Sequence, residues 1–355
     1  MDLSQLLETP AVALQLELES FGPAPIQLPT FQDVGHAVFT RPDGRQSGIL
    51  DTHGSMANRL EDAVWDDPNE TVIDCLQQMP FVSVRTPSGQ LVTASLRESH
   101  RLNSPYIYMS YLADGAKFED YLAERLQVAD GTPGGYPPKV AAIFAELDPC
   151  SLIHGTFMSY SKKFQLSGAG SKLTAALTGF AEAQGISPVE YGTGKQDRVN
   201  ARGSAFSKTS QKESETAPEK GSEVGFGTFQ TPATMWSAER IAAYYYLDID
   251  LLRSYRLGDT FLEWAVGLSL LKILRFIERG LRLRSRCILQ PQLSESGHIA
   301  LDLTLPIQLR GNYFDWGLPD RAQLEQRLEQ LTQQLHQDGT FGDPMVLRDG
   351  VTGRS

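Results

Sequence analysis

The stretch from Gly258 to Cys287 restricts the fold more than any other part of the chain. Residues 258–280 carry the longest helical pattern, closed by Gly280. Leu281-Arg282-Leu283-Arg284-Ser285-Arg286-Cys287 follows, alternating small or apolar residues with arginine. Period two predicts a strand over 281–289. Leu281, Leu283, Ser285 and Cys287 share one face; Arg282, Arg284 and Arg286 share the other, roughly 6.7 Å apart. Burying that row without partners is prohibitive, so it must meet water, carboxylates or an anion. On the helix, Lys272, Arg275 and Arg279 are spaced i, i+3, i+7, predicting a basic face opposite Ile273, Phe276 and Ile277.

The net charge of −11 argues against a polyanionic partner, but its distribution does not. Residues 1–81 hold 13 acidic side chains and 3 basic ones, whereas 272–286 holds 6 bases and 1 acid, and 159–212 holds 8 bases and 3 acids. Such asymmetry points to a local anion site on an acidic protein; a basic helix face paired with acidic neighbours reads equally well from composition. No run of about 18 apolar residues exists to span a membrane. The start lacks a signal-peptide pattern, and Cys75, Cys150 and Cys287 are far apart and odd in number. Reduced thiols in a cytoplasmic protein are the expectation.

Elsewhere, 34–40 and 47–52 read as strands around the turn Arg41-Pro42-Asp43-Gly44. A helix is predicted over 55–65, with Ser55 as N-cap and Met56, Leu60 and Val64 on one face. A second hairpin flanks Pro87-Ser88-Gly89. Helices are expected at 116–127, 137–147, 171–184 and 320–337, and strands at 151–160, 187–191, 242–252 and 298–305. Residues 1–30 read as a short amphipathic helix and a Pro-rich lead-in. Residues 200–225 are polar and without apolar period, which predicts a mobile loop. The fold class is therefore α+β. The second half runs strand, helix, strand, strand, helix, strand, the order of an RRM-like (ferredoxin-like) core. This divides the chain into 1–150, an N-terminal α+β part packed on or inserted into the core, and 151–355, the core itself.

Enzyme motifs fail on inspection. Gly192-Thr-Gly-Lys195 lacks the first glycine of a phosphate loop, and Gln196 stands where Ser or Thr must hold magnesium. There is no HExxH, CxxC pair or GxSxG elbow, and the six histidines are dispersed. No cofactor, metal site or catalytic residue is expected.

A second candidate for holding a phosphate chain is the Lys162-Lys163 pair with Lys172, Lys195, Arg198 and Arg202. All flank Gly-containing segments; a solvated loop is the other reading. Ser55-Met-Ala-Asn58-Arg59-Leu-Glu61 and Arg97-Glu-Ser-His-Arg101-Leu-Asn103-Ser-Pro105 each set arginine beside hydrogen-bonding side chains near a helix start, where anions bind. Capping and an internal pair such as Arg97 with Glu98 would use the same residues structurally. Phe206, Phe226 and Phe229 could wedge between bases or anchor a loop.

Four blocks carry a resemblance: Asp51–Glu61, Ser95–Pro105, Ser151-Leu-Ile-His-Gly155 and Gly280–Cys287. Together they resemble the backbone subunit of subtype I-G (formerly I-U) CRISPR effector complexes, in the RAMP superfamily. The resemblance implies an RRM-like core with large insertions and many copies along one guide RNA. Each copy would clamp the sugar-phosphate chain, with a projecting hairpin or loop kinking it at intervals. The bases would stay free to pair with target DNA. It implies RNA contact at Asn58, Arg59, Arg97, Arg101 and the row Arg282, Arg284, Arg286. Other effector subunits are implied partners. A metal-dependent ribonuclease using Asp51 or Asp197, and a protein–protein scaffold without nucleic acid, are the competing expectations.

Overall fold

The computed structural model describes residues 3–21, 25–126, 137–158, 172–195, 229–294, 299–304 and 320–352. Its main strands are β1 (Ala11–Ser20), β2 (Val38–Thr40), β3 (Gln46–Asp51), β4 (Val82–Arg85), β5 (Leu91–Ala94), β6 (Leu177–Gln184), β7 (Ser187–Lys195), β8 (Phe229–Ser237), β9 (Arg240–Asp248), β10 (Leu281–Arg284), β11 (Cys287–Pro291), β12 (Leu301–Thr304) and β13 (Met345–Arg348). The main helices are α1 (His53–Asp62), α2 (Phe118–Arg125), α3 (Pro137–Leu147), α4 (Cys150–His154), α5 (Ile249–Ser254), α6 (Asp259–Glu278) and α7 (Arg321–Gln337).

The structure is mixed α+β around an antiparallel sheet of eight strands, in the order β10-β11-β1-β9-β6-β3-β2, with β12 also on β1. Four of these strands, taken in chain order as β1, β6, β9 and β11, lie in the spatial order fourth, first, third, second. The central strand β1 was expected to be helix and lead-in. Its sequence Val12-Ala-Leu-Gln-Leu-Glu-Leu18 alternates, and Val12, Leu14, Leu16 and Leu18 are buried while Ala13, Gln15 and Glu17 are half-buried. Period two over a whole strand wins because both edges find partners: β9 on one side, β11 and β12 on the other. The sheet thus draws strands from both sides of residue 150.

Residues 171–184 are also not a helix. Leu177, Gly179, Ala181 and Ala183 are buried, and β6 pairs β9 over eight residues. The expected strand over 151–160 begins instead as α4, after Asp148-Pro149, before the short strand Thr156–Phe157. The expected strand 242–252 ends at Asp248, whose carboxylate caps α5 by accepting from Leu251 N at 2.8 Å. Helix α1 begins at His53, not after Ser55: Thr52 is its cap, accepting from Ser55 N at 3.3 Å. The two expected hairpins form as β2–β3 and β4–β5, and β13 adds parallel to β4.

Helix α1 packs on β6 and against α6 through Met56 and Leu60. Helix α7 lies along α6; Leu324, Leu328, Leu331 and Leu335 form its buried stripe. Trp264 Nε1 donates to Thr332 Oγ1 between them at 3.0 Å. The 200–225 loop lies outside the described residues.

Candidate nucleic-acid interface

The arginine row does not form on one strand. Ser285 and Arg286 make a turn, so 281–291 is a hairpin in which Leu281 pairs Leu289 and Arg284 pairs Cys287. Arg282 and Arg286 are exposed, but Arg284 is half-buried. It donates from Nη1 to Gln27 O at 2.9 Å and from Nη2 to Leu50 O. Burial pulls its pKa down. Arg284 pins the hairpin to β3 and its approach.

The expected basic face of α6 is likewise covered. Lys272 is fully buried. Arg275 donates to Ala63 O at 2.8 Å and to Glu325 at 2.7 Å. Arg279 is exposed and donates to Asp62 O at 2.6 Å. The end of α1 and helix α7 occupy the face that periodicity assigned to solvent.

Two signature blocks turn inward. Arg59 Nε donates to the buried Asp51 at 2.9 Å, and its Nη2 to Leu283 O at 2.9 Å. Arg101 is 4% exposed. It forks onto Glu61, with Nη2 at 2.8 Å, and its Nε donates to Gly155 O at 2.9 Å. A guanidinium so enclosed cannot meet a phosphate, which corrects the expectation for Arg101. Arg97 pairs with Asp67 at 2.5 Å and lies 5.6 Å from the Trp65 ring centre. Glu98, its sequence neighbour, instead accepts from Thr93 at 2.6 Å and Ser104 at 2.7 Å.

What remains is a surface of arginines from several elements. Arg59 (half-buried) and Asn58 (exposed) come from α1, Arg97 from the turn after β5, Arg279 from the end of α6, and Arg282 and Arg286 from the hairpin. Asp62 sits among Arg97, Arg59 and Arg279; burial raises its carboxyl pKa against their pull. Arg279 and Arg284 meet carbonyls, which orient a guanidinium without neutralising it. Next to this surface lies a groove of about 730 Å³ lined by Asp66, Asp67, Asp74, Glu325 and Glu329 beside Arg275 and Arg279. Lys172 is exposed on a short strand elsewhere. Lys195 ends β7, and Phe229 begins β8. Lys162, Lys163, Arg198, Arg202, Asp197, Phe206 and Phe226 lie outside the described residues.

Behind the surface is a buried polar network that sequence reasoning did not find. Lys272 Nζ donates to His154 Nε2 at 2.9 Å and Cys150 Sγ at 3.3 Å. Ser151 donates to the buried Asp148 at 2.8 Å. Burial pushes the Cys150 thiol up to about 11, so it stays protonated. Gly155 follows at φ 78°, where an added Cβ would stand 2.7 Å from Leu173 O. Burial, reinforced by Lys272 and Arg101, holds the His154 imidazole well below the ordinary range. The unfolded chain protonates it near pH 6.5. This contribution to stability is complete above that pH and is lost as pH falls toward the folded value, at about 1.4 kcal/mol per pH unit. Urea unfolding from pH 7.5 to 5.5 should show the slope, and His154→Gln should flatten it by that amount. The buried Glu61 and Asp148 are common to both proteins, so the difference isolates His154; parallel curves would exclude it.

The sequence also does not reveal the aromatic cluster of Phe180, Tyr244 and Tyr246, because 171–184 reads as helix and leaves the strand 242–252 without its neighbour. Among the described residues no group of three or more His, Cys, Asp or Glu side chains is placed to hold a metal, and no helix is long and apolar enough to cross a membrane.

Residues 14–188 match the family model described as CRISPR-associated protein GSU0053. No curated protein matches the chain. A chain of the solved structure "CRISPR RNA-guided surveillance complex, pre-nicking" aligns over 92% of this chain and 89% of its own, with 12% identity and a TM-score of 0.36. The family match contains β1 from Leu14 onward, α1 and the Asp51–Glu61 and Ser95–Pro105 blocks, which carry the buried Arg101–Glu61 pair. Over residues 14–188 the chain is thus similar to the family of CRISPR-associated protein GSU0053.

Proposed function

We propose that the chain is a non-catalytic backbone subunit of a subtype I-G type CRISPR effector complex, and that it holds guide RNA by the sugar-phosphate chain. The observation that carries this reading is the gathering of Arg59, Arg97 and Arg279 about Asp62 at the end of α1, with Arg282 beside Arg59, on a protein of net charge −11. Four guanidiniums suited to phosphate oxygens, of which Arg59 and Arg97 also pair with Asp51 and Asp67, serve a ligand read by charge and not by base. The strand order fourth, first, third, second supports an RRM-like core, with α1 between the first two strands and α6 before the fourth. Target DNA, further copies of the chain and other effector subunits are the proposed partners.

Affinity for unstructured single-stranded RNAs of unrelated sequence tests this. The constants should agree across sequences and fall steeply with salt. Strong sequence preference, or no RNA binding at all, would contradict it. The ribonuclease reading meets an obstacle at Asp51, which is 3% exposed and paired with Arg59. Periodic magnesium-dependent cuts in a guide-paired RNA would nevertheless establish that reading against ours.

A further inference from the structure

We infer that a groove on the sheet face at the start of α1 is a seat for one unpaired nucleobase of a bound single strand. The inference rests on the RNA-holding reading and adds to it a site of different chemistry.

Register places the groove. Phe180 and Gln15 both lie opposite Tyr244, and Thr178 and Ala13 both lie opposite Tyr246. Alternation puts these six side chains on one face of the sheet, away from the buried Leu14 and Leu16. Phe180 and Tyr244 stack with ring centres 5.1 Å apart and planes 22° apart; His53, first residue of α1, lies 5.1 Å from Phe180. Tyr246 is 46% exposed. A cluster of rings left open in this way is unusual, because aromatic side chains gain most from burial.

The groove encloses about 240 Å³. That is below the ~300 Å³ at which pockets begin to take drug-sized ligands, so one flat ring system fits and a whole folded ligand does not. Its rim is polar but neutral. Arg240 Nε donates to Glu17 at 2.8 Å, and Arg41 to Glu182 at 2.9 Å, so neither carboxylate faces a strand uncompensated. Gln184 donates to Tyr244 Oη at 2.8 Å and fixes that ring. Gln15 and Thr178 supply hydrogen-bonding groups for a base edge.

Position joins the groove to the arginine surface. Helix α1 starts at the groove with His53 and ends nine residues on at Asp62, among Arg59, Arg97 and Arg279. At 1.5 Å per residue the two ends are about 13.5 Å apart. Its exposed residues between them are Gly54 and Asn58. Helix α1 packs on the other face of β6, with Met56 against Gly179, so a strand running along α1 would pass the sheet edge at His53 to set phosphates among the guanidiniums and one base over the rings. Stacking on aromatics is tolerant of base identity, so a protein that ignores sequence can still use it.

The test compares the full chain bound to a mixed-sequence single-stranded RNA and to a ribose-phosphate strand of equal length made of abasic spacers. The wild type should bind the base-bearing strand roughly tenfold or more tightly. Tyr246→Ser and Phe180→Leu should each erase most of that difference while leaving the salt slope unchanged. Equal binding of the two strands by the wild type, or retention of the difference by both variants, would overturn the seat while leaving the arginine surface standing. A wild type that binds neither strand would remove both readings. Loss of self-association in light scattering, with RNA affinities unchanged, would assign the groove to contact between copies and also overturn it.

Discussion

Replacing Glu61 with alanine is expected to destabilise the protein by about 3–5 kcal/mol, the cost of leaving a buried charge unpaired. Arg101 and Glu61 have side chains 5% and 2% exposed, so solvent screens neither. Burial pushes the Glu61 carboxyl up, while the forked guanidinium pulls it back. Without that carboxylate Arg101 would keep its charge in the interior, with Gly155 O accepting from it and the buried Asp148 carboxylate as the neighbouring charge. The neighbouring hydrogen bond from Asn103 Nδ2 to Phe157 O, at 2.7 Å, depends on the same backbone placement. Urea unfolding with an unchanged m-value measures the loss. Replacing both partners with methionine removes the stranded charge, and the double variant should recover much of what the single one lost. A single variant within about 1 kcal/mol of wild type would mean the pair is not the hub described here.

The second large effect concerns RNA. Changing Arg279, Arg282 and Arg286 together to glutamate should weaken binding of single-stranded RNA by about 100-fold or more at physiological salt. It should also reduce the slope of log affinity against log salt by about 2, since each phosphate contact on a single strand contributes about 0.7. All three side chains are exposed, so the urea midpoint should move little by comparison. Arg284→Met would behave in the opposite way: it removes a half-buried anchor to Gln27 O and Leu50 O and should lower stability first. An unchanged salt slope in the triple variant would place the phosphate chain on another surface.

The sequence was most legible where an element has a single possible period. The twenty residues of α6, the leucine stripe of α7 and the turns at Gly44 and Gly89 could be read directly. Strand β1 was equally periodic, yet the short polar start and nearby prolines masked it. Segment 177–184 was misread because alanine and leucine favour helix, whereas pairing with β9 decides the outcome. The arginines stand out in the sequence, but their exposure does not. Nothing local distinguishes Arg101, which finds Glu61 forty residues away, from Arg97, which stays at the surface. Likewise Arg284 and Arg282 belong to one alternating pattern, and only the turn at Ser285-Arg286 and the carbonyls of distant residues separate their fates. The aromatic groove needs three strands in register and could not be seen from any one of them.

The most direct test of the account is ultraviolet crosslinking of the full chain to a bound single-stranded RNA, read by mass spectrometry of the peptides. Crosslinks are expected on the peptide containing His53–Asp62 and on the one containing Arg279–Arg286. Crosslinked protein in which both peptides are untouched would contradict it.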